Sequence, residues 1–297
     1  MPRQSPSSER VVTVGRGRGL GVVLRALVGL RSELTVIVAT AEYVGPGAPK
    51  SRPGPSPAVG ELHQALEALA GDEVALSRAM RRPLKLDRLG RHSLGNLMIH
   101  SLASGFGDLG RASAWLGAQL GIDGEVLPAT VEPLRFTVRS QPARAAQPWT
   151  KALDCLRFIP QEPEIPPQAA SAIGAADTIL LAPGSLFRGM LVAAAVPDIA
   201  RALESAPAWV VWICNLEPEE GETAGDQLDV LLRHGVRIDA ALYDPDSGLG
   251  RSAERLADRG VETIPRSMRA DNARRHDKEL LRLALIELMS DPHRQHA

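Results

Sequence analysis

The residues of this chain best suited to chemistry are an alternating run of glycine and arginine, Gly15-Arg16-Gly17-Arg18-Gly19. Glycines let a backbone come close to a phosphate, and two guanidinium groups in the loop could add charge-assisted hydrogen bonds. The run follows a short β-branched stretch, Val11 to Val14, and leads into an apolar, helix-like segment from Leu20 to Leu30. Strand, tight loop, helix is the unit with which nucleotide-binding α/β domains open, and the free N–H groups of the first helical turn then point at an anion. The dinucleotide fingerprint G-x-G-x-x-G is not met, because the glycines fall at 15, 17, 19 and 21 and position 20 is Leu. The P-loop lysine followed by Ser or Thr is also missing. A phosphate seat and a plain strand-to-helix turn both fit the local pattern.

The remaining constellations are weaker. In Leu89 to Met98, His92 precedes Ser93, but a hydrolase elbow needs a glycine two residues before the serine and a strand ahead of it. Position 91 is Arg, so Ser93 reads as a helix-starting residue or a ligand contact, not a nucleophile. His92 and His100 are eight apart and form no i, i+4 metal pair. Asp244-Pro245-Asp246-Ser247-Gly248 begins like a calcium loop, yet its twelfth position is Arg255, so a turn is expected. Cys155 and Cys214 form no C-x-x-C and lie in apolar runs, as buried small hydrophobes do. No catalytic residue and no metal ligand is assigned.

The elements that must position these residues follow from hydrophobic periodicity. Leu34 to Ala41 is a near-continuous apolar run of the kind found in strands covered on both faces. Its exit, Glu42 to Pro46, would lie at a strand's carboxyl end, where open α/β sheets bind ligands, so Glu42 is placed to touch a ribose hydroxyl, the commoner outcome being an exposed loop glutamate. Gly47 to Pro57 is rich in Pro, Gly and Ser and reads as a lid or surface loop; Leu62 to Met80 is helical with a break near Gly71-Asp72. A helix ends near Gly121, and strands are expected over 125–131, 134–138 and 155–159, with an irregular stretch over 141–148.

The second half alternates: a helix over 169–176, a buried strand over 177–182, the turn Pro183-Gly184-Ser185, then an apolar segment over 186–196. A helix over 198–204, a strand over 209–216, an acidic loop to Gly225, a helix over 228–234 and a strand over 238–243 come next. A polar helix, a short strand near Glu262 to Ile264 and a long helix from Ala273 to Met289 complete the chain; the last helix should dock its apolar face within the chain. The alternation predicts an α/β, Rossmann-like fold with a mainly parallel sheet and helices on both faces. Residues 1–10 read as a disordered tail and 11–297 as one domain.

Composition excludes several classes. With 34 basic and 35 acidic side chains the net charge is −1, so no basic field draws in nucleic acid or an anionic membrane. Aromatics are only 3%, too few for base-stacking platforms. No apolar stretch has the length of a membrane span, and the first ten residues are polar, so the expected location is the cytoplasm.

Four segments together resemble one family, the YvcK/CofD-like proteins, named for the bacterial gluconeogenesis factor and for 2-phospho-L-lactate transferase. Gly15-Arg16-Gly17-Arg18-Gly19-Leu20 is similar to the family's G-G-G-T-G-L, and Arg91-His92-Ser93-Leu94-Gly95-Asn96-Leu97 to its G-H-S-L-G-N-L. Ala182-Pro183-Gly184-Ser185-Leu186 resembles its G-P-G-S-L, and Cys214-Asn215-Leu216 through Gly221-Glu222-Thr223-Ala224-Gly225 its C-N-x-M-T-Q-P-G-E-T-x-G. The resemblance spans roughly residues 11 to 265 and lies nearer the gluconeogenesis-factor branch. It implies binding of a nucleotide or nucleotide sugar of the UDP-sugar type, roles in carbon metabolism, cell-wall growth and cell shape, and a homodimer. It implies that Gly15, Gly17 and Gly19 approach a diphosphate, and that His92, Ser93, Asn96, Pro183, Gly184, Ser185, Asn215, Glu222 and Thr223 line the same cleft.

The departures concern charge. The family's V-A-D-D-G-G-S-S-G stands here as Ala39-Thr40-Ala41-Glu42-Tyr43-Val44-Gly45-Pro46, and its P-P-G-D leaves only Glu61 as an acidic echo. Arg188 stands where Thr is usual, and with Arg16 and Arg18 it makes the expected cleft more cationic. Loss of the paired aspartates removes the obvious metal ligands. The leading expectation is therefore a binding protein with little or no catalysis. The alternative is a transferase moving a phosphorylated small acid through a nucleotide diphosphate donor, with Mg²⁺ on Glu42 or Glu61.

Overall fold

The computed structural model describes residues 9–30, 32–45, 58–71, 73–86, 90–138, 156–218, 222–270 and 274–290. The expected loop over 47–57, the irregular stretch over 141–148 and Cys155 lie outside them. So do residues 1–8 of the expected tail, whereas Glu9 and Arg10 already belong to the first strand, β1 (Glu9–Gly15).

β1 is followed by helix α1 (Gly17–Leu27), β2 (Ser32–Val38) and β3 (Ala41–Tyr43). Next come α2 (Gly60–Ala70), α3 (Ala75–Met80), β4 (Pro83–Leu86), β5 (Gly90–Ser93), α4 (Leu94–Phe106) and α5 (Leu109–Gln119). β6 (Glu125–Pro128), β7 (Leu134–Val138) and β8 (Leu156–Ile159) precede α6 (Pro167–Ala175) and β9 (Thr178–Leu181). The last part runs α7 (Met190–Ala194), α8 (Pro197–Ser205), β10 (Trp209–Ile213), α9 (Ala224–Arg233), β11 (Ala240–Tyr243) and α10 (Gly250–Ala253). A 3₁₀ turn (Glu254–Arg259), β12 (Glu262–Pro265) and α11 (Lys278–Met289) follow.

Seven strands form one sheet in the order β12-β11-β10-β9-β1-β2-β6. Every pairing in it is parallel. Parallel strands need crossovers, and the crossover helices cover both faces, which is why the strands read as apolar runs. One face packs Val12, Val14, Ile179 and Trp212 under α7, α8 and α9; the other packs Val11, Val36, Leu180 and Val211 under α1, α2 and α11. Adjacent strand residues thus go to opposite cores, as a period of two requires. The chain leaves β1 toward β2 on one side and reaches β9 on the other, so the order reverses between β1 and β9. That reversal is the switch point at which open α/β sheets hold ligands, outside the carboxyl ends.

Three details differ from the sequence expectations. The exit after β2 is not a loop: Ala41, Glu42 and Tyr43 form β3, which pairs in parallel with β7 in a three-stranded sheet β3-β7-β8. A strand does precede Ser93, because β4 and β5 form an antiparallel hairpin. α11 begins at Lys278 rather than Ala273, and the Asp277 carboxylate accepts from the Glu279 and Leu280 N–H groups there. Its Leu281, Ala284, Leu285 and Leu288 are buried, and Arg282 donates to the Ala26 and Val28 carbonyls at the end of α1. Among the described residues, no helix is long and apolar enough to cross a membrane.

Candidate functional site

β1 ends at Gly15, Arg16 is the N-cap of α1, and Gly17 opens the helix. Gly17 has φ +73°, a left-handed conformation that glycine adopts without strain. Arg16 gives α1 no side-chain cap and no acidic residue lies in its first turn, so its leading N–H groups are left for another acceptor. Gly19 lies against the next strand's exit: a Cβ there would stand 1.8 Å from the Pro183 carbonyl oxygen. Only a glycine allows α1 to begin so close to the Pro183-Gly184-Ser185 turn.

Asn215, just past β10, ties that turn down. Its Oδ1 accepts from the Gly184 N–H at 2.7 Å, and its Nδ2 donates to the Gly184 carbonyl at 2.8 Å. The side-chain amide thus acts as a short strand partner, holding the exits of β9 and β10 in register. His276 anchors the preceding residue, its Nε2 lying 3.1 Å from the Cys214 carbonyl. Burial pushes the His276 imidazole down to about 4, against the opposing pull of that bond and of Asp244. The Cys214 thiol is also buried and is pushed far up, so it is a thiol and not a nucleophile.

The arginines divide. Arg16 turns away from the glycine loop, donating to the Ala41 carbonyl at 2.9 Å and to Glu61 Oε1 at 3.0 Å. Less than a fifth of either side chain of this ion pair is exposed. Arg18 is exposed. Arg188 lies over the Tyr43 ring, its guanidinium carbon 4.3 Å from the centroid. Glu42 is half-buried in β3, in register with Arg135 of β7.

At the start of α4, Ser93 is the N-cap that the sequence marked as a helix start. Its Oγ accepts from the Asn96 N–H at 3.2 Å and lies 3.2 Å from His63 Nδ1. His63 was not singled out from the sequence. Its ring is buried where a Cβ on Gly95 would fall, 2.2 Å from Nε2. Burial pushes the imidazole down, with Asn96 opposing and Arg81 adding to the shift. Nε2 lies 3.6 Å from the Glu67 carboxylate, which also receives Arg81 at 3.2 Å. The Glu67 carboxylate favours a proton on Nε2, leaving Nδ1 to accept from the Ser93 hydroxyl. Gly60, at the start of α2, faces the Asn96 amide across a gap that a Cβ would close to 3.6 Å. His92 lies in β5, with its side chain outside the described part of the structure.

Glu222 and Thr223 mark the start of α9. Glu222 is buried, and the Thr223 hydroxyl is engaged in a capping box with Asp226. The glycine loop, the Pro183 turn, Asn215 and the start of α9 thus all follow a strand of the central sheet at its carboxyl end. Ser93 and Asn96 lie against His63 and Gly60 of α2, the helix whose Glu61 pairs with Arg16. The Asp244 to Ser247 segment is a turn closed by the Ser247 N–H on the Asp244 carbonyl. Among the described residues no group of three or more His, Cys, Asp or Glu could hold a metal, and the Glu61 carboxylate is paired with Arg16. A separate hollow of about 550 Å³ opens at the opposite end of the sheet, beside Glu33, Asp123 and Glu125. Its acidic rim suits no phosphate, and it lies away from the switch point.

Comparison with known proteins matches this architecture. Residues 11–246 fit the family model described as 2-phospho-L-lactate transferase CofD. A putative gluconeogenesis factor of Deinococcus radiodurans is 30% identical over 96% of this chain and 67% of its own length. The gluconeogenesis factor of Halalkalibacterium halodurans is 30% identical over 77% of this chain and 75% of its own, and that of Bacillus subtilis 28% identical over 76% and 74%. A putative gluconeogenesis factor of Nostoc is matched over only 49% of its own length. The crystal structure of a UPF0052 family protein from Bacillus halodurans superposes with a TM-score of 0.77 at 24% identity, covering 95% of this chain and all of that one.

Proposed function

The chain belongs to the CofD family and is similar to gluconeogenesis factors, and from that premise we propose that it binds a nucleotide sugar of the UDP-sugar type, or a related phosphorylated ligand, at the β1/β9 switch point. In this reading it is a regulatory protein linked to carbon metabolism, cell-wall growth and cell shape, acting as a homodimer in the cytoplasm. The observation that carries the reading is the start of α1. Its N–H groups have no side-chain cap, they follow a glycine turn, and Gly19 brings them against the Pro183 turn. Such a place takes an anion through backbone donors and the positive end of the helix dipole.

Arg16 supports the seat indirectly. It fixes the Ala41 carbonyl and Glu61 beside the loop and leaves the anion to the backbone. The second reading, a transferase of the kind for which the family model is named, places Glu42 or Glu61 on Mg²⁺. The Arg16–Glu61 ion pair weighs against it.

A thermal-shift panel of UDP-sugars, other nucleoside diphosphates and free phosphate tests the proposal. Ligand at 100 times its dissociation constant should stabilise by about 2.7 kcal/mol, a rise of roughly 4 °C for a chain of this size. No shift with any nucleotide at millimolar concentration would sink it.

A further inference from the structure

We propose that Arg188, anchored over the Tyr43 ring, recognises a carboxylate on the sugar-side part of the bound ligand and so selects acidic nucleoside-diphosphate ligands over neutral ones. The inference rests on the nucleotide seat proposed above and names what that seat selects.

Arg188 and Tyr43 come from opposite sides of the switch point. Arg188 follows β9, and Tyr43 lies in β3 just after β2, while β1 runs between β9 and β2. Their contact therefore bridges the exit of the strand that carries the glycine loop. The bridge is rigid at both ends. Tyr43 packs on Phe136, with ring centroids 5.5 Å apart, and Phe136 is fully buried. On the other side, Leu186 and Met190 are buried in the core, and only a glycine fits at position 189, where a Cβ would fall 2.3 Å from the Ser185 carbonyl oxygen.

The geometry leaves one function open to the guanidinium. On one side its carbon lies 4.3 Å from the centroid of the Tyr43 ring, a cation–π contact that anchors it, while the residue as a whole is exposed. Among the described residues, no carboxylate pairs with it. Arg16 is the reverse case, tied to Glu61 and to a backbone carbonyl. A guanidinium anchored by an aromatic ring, with an uncompensated charge and an edge of N–H donors, matches the two coplanar oxygens of a carboxylate. The diphosphate has another place. Arg188 projects from a loop packed on one face of the sheet, whereas α1 packs on the other. Arg16 donates to the Ala41 carbonyl at the start of β3, so the Arg188–Tyr43 contact lies beside the glycine loop, within reach of a group carried by the diphosphate.

Calorimetric titration with UDP-glucose and UDP-glucuronate tests this, since the two differ by a carboxylate on the sugar. The wild-type chain should bind the glucuronate at least about tenfold more tightly. Arg188→Ala should bring that ratio close to one. Arg188→Lys keeps the charge but loses the planar fork and should recover only part of it. Melting curves of both variants verify folding, and exposure of Arg188 makes both substitutions tolerable. Equal affinities in the wild type, or a ratio that survives Arg188→Ala, overturns the inference while leaving the nucleotide seat standing. Failure of the wild type to bind either nucleotide overturns the seat and this inference together.

Discussion

Arg16 and Glu61 show how a residue chosen for one task can be engaged in another. The sequence displays Arg16 inside a glycine loop, where a guanidinium would meet a phosphate. Its partner lies 45 positions away in a stretch with no visible tie to that loop. A pair at that separation becomes legible only once α2 is placed. Because the pair is largely buried, Arg16→Ala should cost about 2–3 kcal/mol by leaving a carboxylate without its cation. The double variant Arg16→Ala/Glu61→Ala should lose less than the single one, and urea titrations of the four chains give the coupling directly. Gly19 makes a second residue-level case. A methyl group there meets a backbone carbonyl at 1.8 Å, which cannot rotate aside, whereas at Gly21 it meets the flexible end of Arg25 at 3.3 Å. Gly19→Ala should therefore destabilise by about 1–3 kcal/mol or more and abolish nucleotide-induced thermal shifts, with Gly21→Ala much milder. Similar effects at both positions would contradict the close approach of α1 to the Pro183 turn.

At the scale of elements, the junction of α2 with α4 is held by two residues that fit only each other. The His63 ring occupies the space that a side chain at position 95 would need, and its Nδ1 faces the Ser93 cap. Gly95→Ala should cost about 1–3 kcal/mol by forcing the ring out of place. His63→Ala in the same chain should restore more than half of that loss, because the methyl group then has room; additive losses in chemical denaturation would refute the fit. The sequence shows Ser93 as a helix start, since a serine before an apolar run caps a helix whatever surrounds it. It does not show His63, whose role depends on a neighbouring helix. The same division runs through the elements as a whole. Buried strands such as β9 and β10 are legible because both of their faces are apolar. β3 and the β4–β5 hairpin are not, because three or four residues carry no period of their own and pair only where the fold supplies an edge.

Across the whole molecule, alternation of strands and helices announces a parallel sheet, and the sheet is there. The order of its strands, and hence which turns meet, is set by packing of both faces together and has no local signature. His276 illustrates the consequence: it lies 62 residues from Cys214 yet fastens the turn that holds Asn215. It also makes the fold sensitive to acid. In the folded chain the imidazole is pushed down to about 4, while an unfolded chain titrates near its ordinary value of 6.5. Between those values the unfolded state binds the extra proton and the folded state does not. Stability from this residue is thus complete above about pH 6.5 and falls as pH is lowered toward about 4, by up to ~3 kcal/mol. His63, also lowered by burial, acts in the same direction. Urea midpoints measured from about pH 7.5 down to about pH 4.5 should therefore decline. His276→Asn should flatten that decline, whatever it does to stability at neutral pH, because only the slope reports the proton. If the variant and the wild type lose stability in parallel over this range, His276 is not the group that titrates.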